Sequence, residues 1–228
     1  MKHRRPHREG GRAESPQTKK GPGDPRWDHF SDRAKKEGYA ARSIYKLEEI
    51  DRRFRLFRPG AKVLDLGCHP GSWLQYAAER VGRQGTVVGI DRAATRAPGT
   101  NVRTIQADLT DPFDAAELGG PFDLVLSDMA PDTTGIRHVD QDRSTMLGEI
   151  ALDLAMRLGK KGSAVVIKIF QGPDFTKFLN RVKLAYGHVR CVRPEATRKA
   201  SFEVYVVGTE KRESVPPEAT LPEPDPAT

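Results

Sequence analysis

Lys62-Val63-Leu64-Asp65-Leu66-Gly67-Cys68-His69-Pro70-Gly71-Ser72-Trp73 sets an apolar run against a glycine-containing turn and then a helical stretch. The first five residues read as a buried strand that stops at Gly67, and Ser72–Val81 reads as a helix. Gly67 and Gly71 let the backbone turn tightly and approach a ligand with no Cβ in the way. The spacing is G-x-x-x-G. Neither the G-x-G-x-x-G of dinucleotide enzymes nor a Walker lysine motif is present. Taken alone, such a turn also suits an ordinary strand-to-helix loop.

Working outward, the same alternation repeats. Thr86–Asp91, Val102–Ala107, Leu124–Asp128 and Ser163–Ile169 read as strands, the last an apolar run suited to a sheet covered on both faces. Val189–Val192 and Phe202–Gly208 read as closing strands. Arg42–Phe54, Asp142–Leu158 and Asp174–Ala185 carry helical periodicity. The pattern predicts an α/β fold with a mostly parallel sheet, whose ligands bind beyond the carboxyl ends of the strands.

Acids recur at those ends. Asp91 closes the second strand, 20 residues after Gly71, where a carboxylate can accept from a ribose diol. Asp108 follows the third strand and could accept from an adenine amino group. Asp128 ends the fourth. One strand-end aspartate is commonly a helix cap. Three in consecutive units favour a nucleoside ligand, and without a cradled pyrophosphate S-adenosylmethionine fits best.

Lys168 stands in the middle of Val165-Val166-Ile167-Lys168-Ile169-Phe170. A lysine there carries a heavy desolvation cost unless it reaches a cleft or a counter-ion. It is either paired for structure or a base. Glu203 shares a strand face with Tyr205 and Val207 and needs a partner too. Lys46 falls off the apolar stripe of its helix (Ile44, Leu47, Ile50, Phe54), which by itself reads as a solvated surface lysine. His69 and His138 read as loop residues, and no metal-ligand spacing appears.

The chain has 228 residues, 37% of them hydrophobic, enough for one domain with a real core. No stretch approaches the ~20 apolar residues that cross a bilayer, and the charged N-terminus lacks the apolar core of a secretory signal. Cys68 and Cys191 form no C-x-x-C pair, which suits a reducing cytoplasm. The net charge of +7 favours a polyanionic partner. Residues 1–27 hold eight Lys or Arg against three Asp or Glu, so most of that excess lies there. This basic tail and the Pro-rich acidic stretch 211–228 are expected to be disordered, leaving 28–210 as the folded domain.

Together these residues resemble the FtsJ (RrmJ/RlmE) family of ribosomal RNA 2′-O-methyltransferases. The resemblance rests on Ala41-Arg42-Ser43-Ile44-Tyr45-Lys46-Leu47, Asp65-Leu66-Gly67 with Pro70-Gly71-Ser72-Trp73, Ser127-Asp128-Met129-Ala130-Pro131, Lys168-Ile169-Phe170-Gln171-Gly172 and Ser201-Phe202-Glu203-Val204-Tyr205. They run in the family's order over roughly residues 30–209. The resemblance implies a Rossmann-like class I fold with a seven-stranded sheet and helices on both faces. It implies a catalytic tetrad of Lys46, Asp128, Lys168 and Glu203, and S-adenosylmethionine contacts at Gly71, Trp73, Asp91, Asp108 and Asp128. Ser72 replaces a frequent second glycine, Cys68 and His69 replace small residues, and Asp132 stands where asparagine is common.

The implied reaction methylates a uridine ribose in large-subunit (23S) ribosomal RNA. Lys168 takes the proton, Asp128 and Glu203 orient it, and Lys46 steers the 2′-oxygen. Arg33, Lys35, Lys36, Arg42 and the basic tail are candidates for phosphate contacts. The expected enzyme is a cytoplasmic monomer without metal. The competing readings are a 2′-O-methyltransferase of another RNA and a non-catalytic ribosome-assembly factor. A TlyA-like enzyme is disfavoured, because that type carries an extra N-terminal RNA-binding domain.

Overall fold

The computed structural model describes residues 29–198 and 201–213. The expected basic tail and most of the expected acidic tail lie outside the described residues. Seven strands form one sheet: β1 (Lys62–Leu66), β2 (Thr86–Asp91), β3 (Val102–Gln106), β4 (Phe122–Ser127), β5 (Gly159–Phe170), β6 (Tyr186–Val192) and β7 (Glu203–Lys211). Their order is β3-β2-β1-β4-β5-β7-β6. The first five are parallel, and β7 runs antiparallel to both neighbours. The direction of strand addition reverses between β1 and β4, which places a crevice at their carboxyl ends.

Each central strand is apolar on both faces because helices cover both. Leu64, Leu66, Ile90, Val125, Val165 and Ile167 pack on one side. There they meet α4 (Arg137–Leu158) and α5 (Phe175–Ala185) through Leu152, Ala155, Phe178 and Val182. Val63, Leu124, Leu126, Val166 and Val207 fill the other side, under α2 (Ile44–Phe54) and α3 (Ser72–Val81). Full burial of each such side chain contributes about 1.5–3 kcal/mol, which fixes the register of the layers.

Polar side chains tie the elements together. Asp51, 2% exposed in α2, accepts from the backbone of Leu56 (2.9 Å) and Phe57 (3.2 Å) and from the Tyr76 hydroxyl of α3 (2.8 Å). It terminates one helix and fastens it to the next. Asp123 at the start of β4 accepts from Lys62 N (2.8 Å), Lys160 Nζ (2.8 Å) and Arg58 (2.6 Å), clamping β1, β4 and β5 at their outer ends.

Some boundaries differ from the sequence reading. Helix α4 begins at Arg137, not Asp142, because the Asp140 carboxylate accepts from Thr134 N (2.7 Å), Thr134 Oγ1 (2.9 Å) and Gly135 N (3.2 Å) and organises an extra turn. His138 therefore lies in a helix rather than a loop. Helix α2 begins at Ile44 rather than Arg42, and β7 begins at Glu203, leaving Phe202 outside it. A helix absent from the sequence reading, α1 (His29–Lys36), packs Phe30 and Ala34 against Ile44 and Tyr45, with the Arg33 guanidinium 4.4 Å from the Tyr45 ring centre.

Candidate active site

A cleft of about 470 Å³ opens where β1, β2 and β4 end. Gly67, Asp91, Asp108, Asp128, Met129 and Arg143 stand on its wall. Gly67 has φ +76°, and a Cβ there would lie 2.8 Å from Met129 Cγ. Only glycine lets the two loops meet at the cleft floor. Asp91 Oδ1 accepts from Ala93 N (2.8 Å) and Oδ2 from His69 N (3.0 Å). Each oxygen has a second lone pair for a ligand hydroxyl. Asp108 Oδ1 accepts from Thr110 N (2.9 Å) and Thr110 Oγ1 (2.7 Å), and these bonds hold its carboxyl below the usual range.

Gly71 and Trp73 are not on that wall. Gly71, φ +108°, makes the left-handed turn that launches α3. Trp73 is 3% exposed, donates to Ser43 O (2.8 Å) and packs on Tyr205 at 5.9 Å between ring centres. Ser72 Oγ pairs with Ser43 Oγ at 2.8 Å, so the replaced glycine serves to join α3 to the start of α2. His69 Nδ1 meets Thr95 Oγ1 at 3.3 Å. Asp132 forms a two-point ion pair with Arg92 across the cleft mouth, Nη1 to Oδ2 at 2.7 Å. Both side chains are exposed, so the pair contributes little stability.

Beneath the cleft lies Asp65, fully buried, with no hydrogen-bond partner for either oxygen. Burial, then the charges of Asp128 and Asp91, push its pKa well above the usual value. Three carboxyl groups thus crowd the ends of β1, β2 and β4, and the charges of Asp91 and Asp128 favour a ligand that carries positive charge.

Beside the cleft the four residues of the expected tetrad converge from four elements. Lys168 of β5 is 7% exposed; its Nζ lies 3.0 Å from Asp128 Oδ1 and also donates to the Asp128 carbonyl. Lys46 of α2 is 9% exposed and forms an ion pair with Glu203 of β7. The surface position that helical periodicity suggested for Lys46 is therefore corrected. Helix α2 buries Ile44, Tyr45, Lys46 and Leu47 in succession, since α1 and the sheet press on different sides of its first turn.

Tyr205, absent from the expected site, joins the two ion pairs. It is paired in register with Lys168 and fully buried. Its hydroxyl donates to Asp128 Oδ1 at 2.8 Å, and Lys46 Nζ lies 5.7 Å from its ring centre. Burial, then the charges of Asp128 and Glu203, hold the phenol protonated, well above its ordinary pKa. Asp128 thereby belongs to both halves of the site. It lines the cleft on one side and holds Lys168 and Tyr205 on the other. Lysines held by carboxylates in this way can orient a hydroxyl and, as the neutral amine, receive its proton.

The chain is similar to known proteins. The model of the FtsJ-like methyltransferase family matches residues 39–211. The chain belongs to that family. A protein of Bdellovibrio bacteriovorus named ribosomal RNA large subunit methyltransferase E is 47% identical over 190 residues, covering 81% of this chain and 97% of that one. One of the same name from Desulfatibacillum aliphaticivorans is 49% identical over 189 residues, covering 81% and 91%. A crystal structure of a ribosomal RNA methyltransferase from Plasmodium falciparum shares the fold, with a TM-score of 0.67 at 24% identity, covering 76% of this chain and 98% of that one.

As a member of the FtsJ-like methyltransferase family, the chain needs a methyl donor and an acceptor, and the cleft and the ion-pair cluster lie side by side. Tyr205 was accessible from the sequence only as the residue sharing a strand face with Glu203. Its bond to Asp128, 77 residues away, leaves no trace in local pattern.

Proposed function

We propose that this chain transfers a methyl group from S-adenosylmethionine to the ribose 2′-hydroxyl of a uridine in large-subunit ribosomal RNA. One observation carries the reading: Asp128 lines the cleft and at the same time anchors Lys168 and Tyr205 at its edge. A donor in the cleft and an acceptor at the lysines would meet at one residue. The names of the relatives support ribosomal RNA as the acceptor.

The cleft's residues fit the cofactor. Gly67 lets Met129 close the cleft floor with no Cβ in the way. Asp91 and Asp108 offer acceptors for ribose hydroxyls and an adenine amine. The unpartnered Asp65 beneath them, with Asp91 and Asp128, suits a molecule that carries a sulfonium and an ammonium. Gly71 and Trp73 serve from outside the wall, one by turning the chain into α3, the other by pinning α3 to Ser43. S-adenosylmethionine supplies an activated methyl group on sulfur.

The chain's own residues then orient the acceptor oxygen and remove its proton. Lys46, fixed by Glu203, steers the 2′-oxygen. Lys168 would enter the step as the neutral amine, take the proton onto Nζ and leave as the ammonium, whose N–H groups then donate to Asp128 Oδ1 and the Asp128 carbonyl. Holding the oxygen in line with the methyl group supplies much of the acceleration. The folded unit expected over residues 28–210 extends through Lys211, where β7 ends, and acts as a monomer in the cytoplasm with the ribosome. Among the described residues no helix is long and apolar enough to cross a membrane.

Lys168→Ala and Lys168→Arg test the assignment together. Alanine leaves Asp128 without its cation, whereas arginine keeps the charge but cannot act as the base. Both variants are expected to lose methyl transfer by about 10²-fold or more. Lys168→Arg should hold S-adenosylmethionine within a few-fold of wild type. Turnover near wild type in the folded arginine variant contradicts the role.

A further inference from the structure

Three large apolar side chains stand in solvent among the described residues: Ile136 at 52% exposure, Met146 at 49% and Phe202 at 45%. Met146 lines the cofactor cleft. Ile136 and Phe202 do not, and neither does Arg137, whose guanidinium carbon lies 4.1 Å above the Phe202 ring centre. The three residues come from two segments. Ile136 and Arg137 open α4, just after the loop that leaves Asp128. Phe202 immediately precedes Glu203. Its carbonyl accepts from Gln171 N at 3.0 Å, which seats it at the end of β5, three residues beyond Lys168.

We propose that Phe202 and Arg137 form a stacking platform for an unpaired RNA base next to the ribose being methylated. The inference rests on the proposed RNA substrate for its partner, and on three features of its own. First, Phe202 directly precedes Glu203, the partner of Lys46, so the backbone carries the platform one chain position from the ion-pair cluster. Second, the backbone beside the ring is tied down: the Arg193 guanidinium donates to the carbonyls of Arg198 (3.3 Å) and Ser201 (2.8 Å), and Ser201 N donates to Arg198 O (2.9 Å). Third, an aromatic face and a planar cation together match the chemistry of a base joined to phosphate. Unstacked RNA bases settle on aromatic rings and guanidinium planes, and the guanidinium can also reach a backbone phosphate.

The position suits the reaction. Lys46 and Lys168 are only 9% and 7% exposed, so the ribose must leave the duplex for its 2′-oxygen to reach them, and the strand must open locally there. A stacking face beside the tetrad offsets part of the lost base stacking. Because every base has a π-face, the platform holds the strand without choosing its sequence.

The test compares wild type, Phe202→Ala, Phe202→Trp and Arg137→Ala in two assays at fixed salt. One measures binding of a ten-nucleotide oligouridylate. The other measures methyl transfer from S-adenosylmethionine to large ribosomal subunits from a strain lacking the gene. Phe202→Ala is expected to weaken oligouridylate binding about tenfold and to raise KM for subunits with kcat little changed. Phe202→Trp should restore both, and its indole fluorescence should be quenched by the oligonucleotide. Arg137→Ala should weaken binding less and flatten its salt dependence. Should wild type leave subunits unmethylated while oligouridylate binding still depends on Phe202, the proposed substrate falls and the platform stands. Equal oligonucleotide affinity for Phe202→Ala and wild type, at unchanged melting temperature, overturns the platform.

Discussion

Asp65 shows what a single side chain can cost the fold. It lies between Gly89 and Leu126 in the sheet register, and neither offers its carboxylate a hydrogen bond. Its pKa is raised in the folded chain, by burial first and by Asp128 and Asp91 next, above the value of about 3.9 expected when unfolded. A raised carboxyl favours the fold below that value and withdraws its contribution as pH rises through the folded pKa. Asp65→Asn, measured without methyl donor, should therefore melt higher than wild type at pH 8, with the gap closing toward pH 4. Melting curves that keep a constant gap across that range would contradict the account. Residue-level reading found Lys168, because a charge inside an apolar run has to be explained. It misplaced Lys46, since a helical stripe presumes one buried face and α2 has more than one in its first turn.

Among the elements, strands were the most legible and helix starts the least. Val63, Leu64, Val87, Val125 and Val165 sit in runs that only a doubly covered sheet can bury, so β1, β2, β4 and β5 announce themselves. The first turn of α4 depends on Asp140 reaching back to Thr134 and Gly135, and the polar α1 on Phe30 and Ala34 finding Tyr45 and Ile44. Both are tertiary facts. The clamp on the outer ends of β1, β4 and β5 gives a prediction at this scale. Burial pushes the Asp123 carboxyl up, but the bonds from Lys160, Lys62 N and Arg58 outweigh it and bring the pKa down to about 2. A depressed carboxyl stabilises the fold above its unfolded value, near 3.9, and loses that as pH falls toward 2. Asp123→Asn should cost roughly 1–2 kcal/mol at pH 7. Its deficit should shrink between about pH 5 and pH 2. A deficit independent of pH would show that the clamp is not ionic.

On the scale of the whole molecule, the sheet reversal between β1 and β4 sets the cofactor cleft, and β7 brings Glu203 and Tyr205 to its side. Sequence order alone places Lys46, Asp128, Lys168 and Glu203 in four distant segments. Only the fold pairs Lys46 with Glu203 and Lys168 with Asp128, and only the fold inserts Tyr205 between the pairs. The resemblance named the four residues and set both Asp128 and Glu203 to orient Lys168; the structure pairs Glu203 with Lys46 instead. The Phe202–Arg137 stack likewise depends on a helix start and a strand-flanking residue that the sequence keeps 65 positions apart. The central claim is the chemistry of the acceptor, and it is tested most directly by transfer of labelled methyl from S-adenosylmethionine to large ribosomal subunits from a strain lacking the gene, followed by alkaline hydrolysis of the RNA. A ribose 2′-O-methyl group blocks cleavage of the adjoining linkage, so the account predicts label in one alkali-resistant dinucleotide that begins with uridine. Label released in mononucleotides, as from a methylated base, would contradict it.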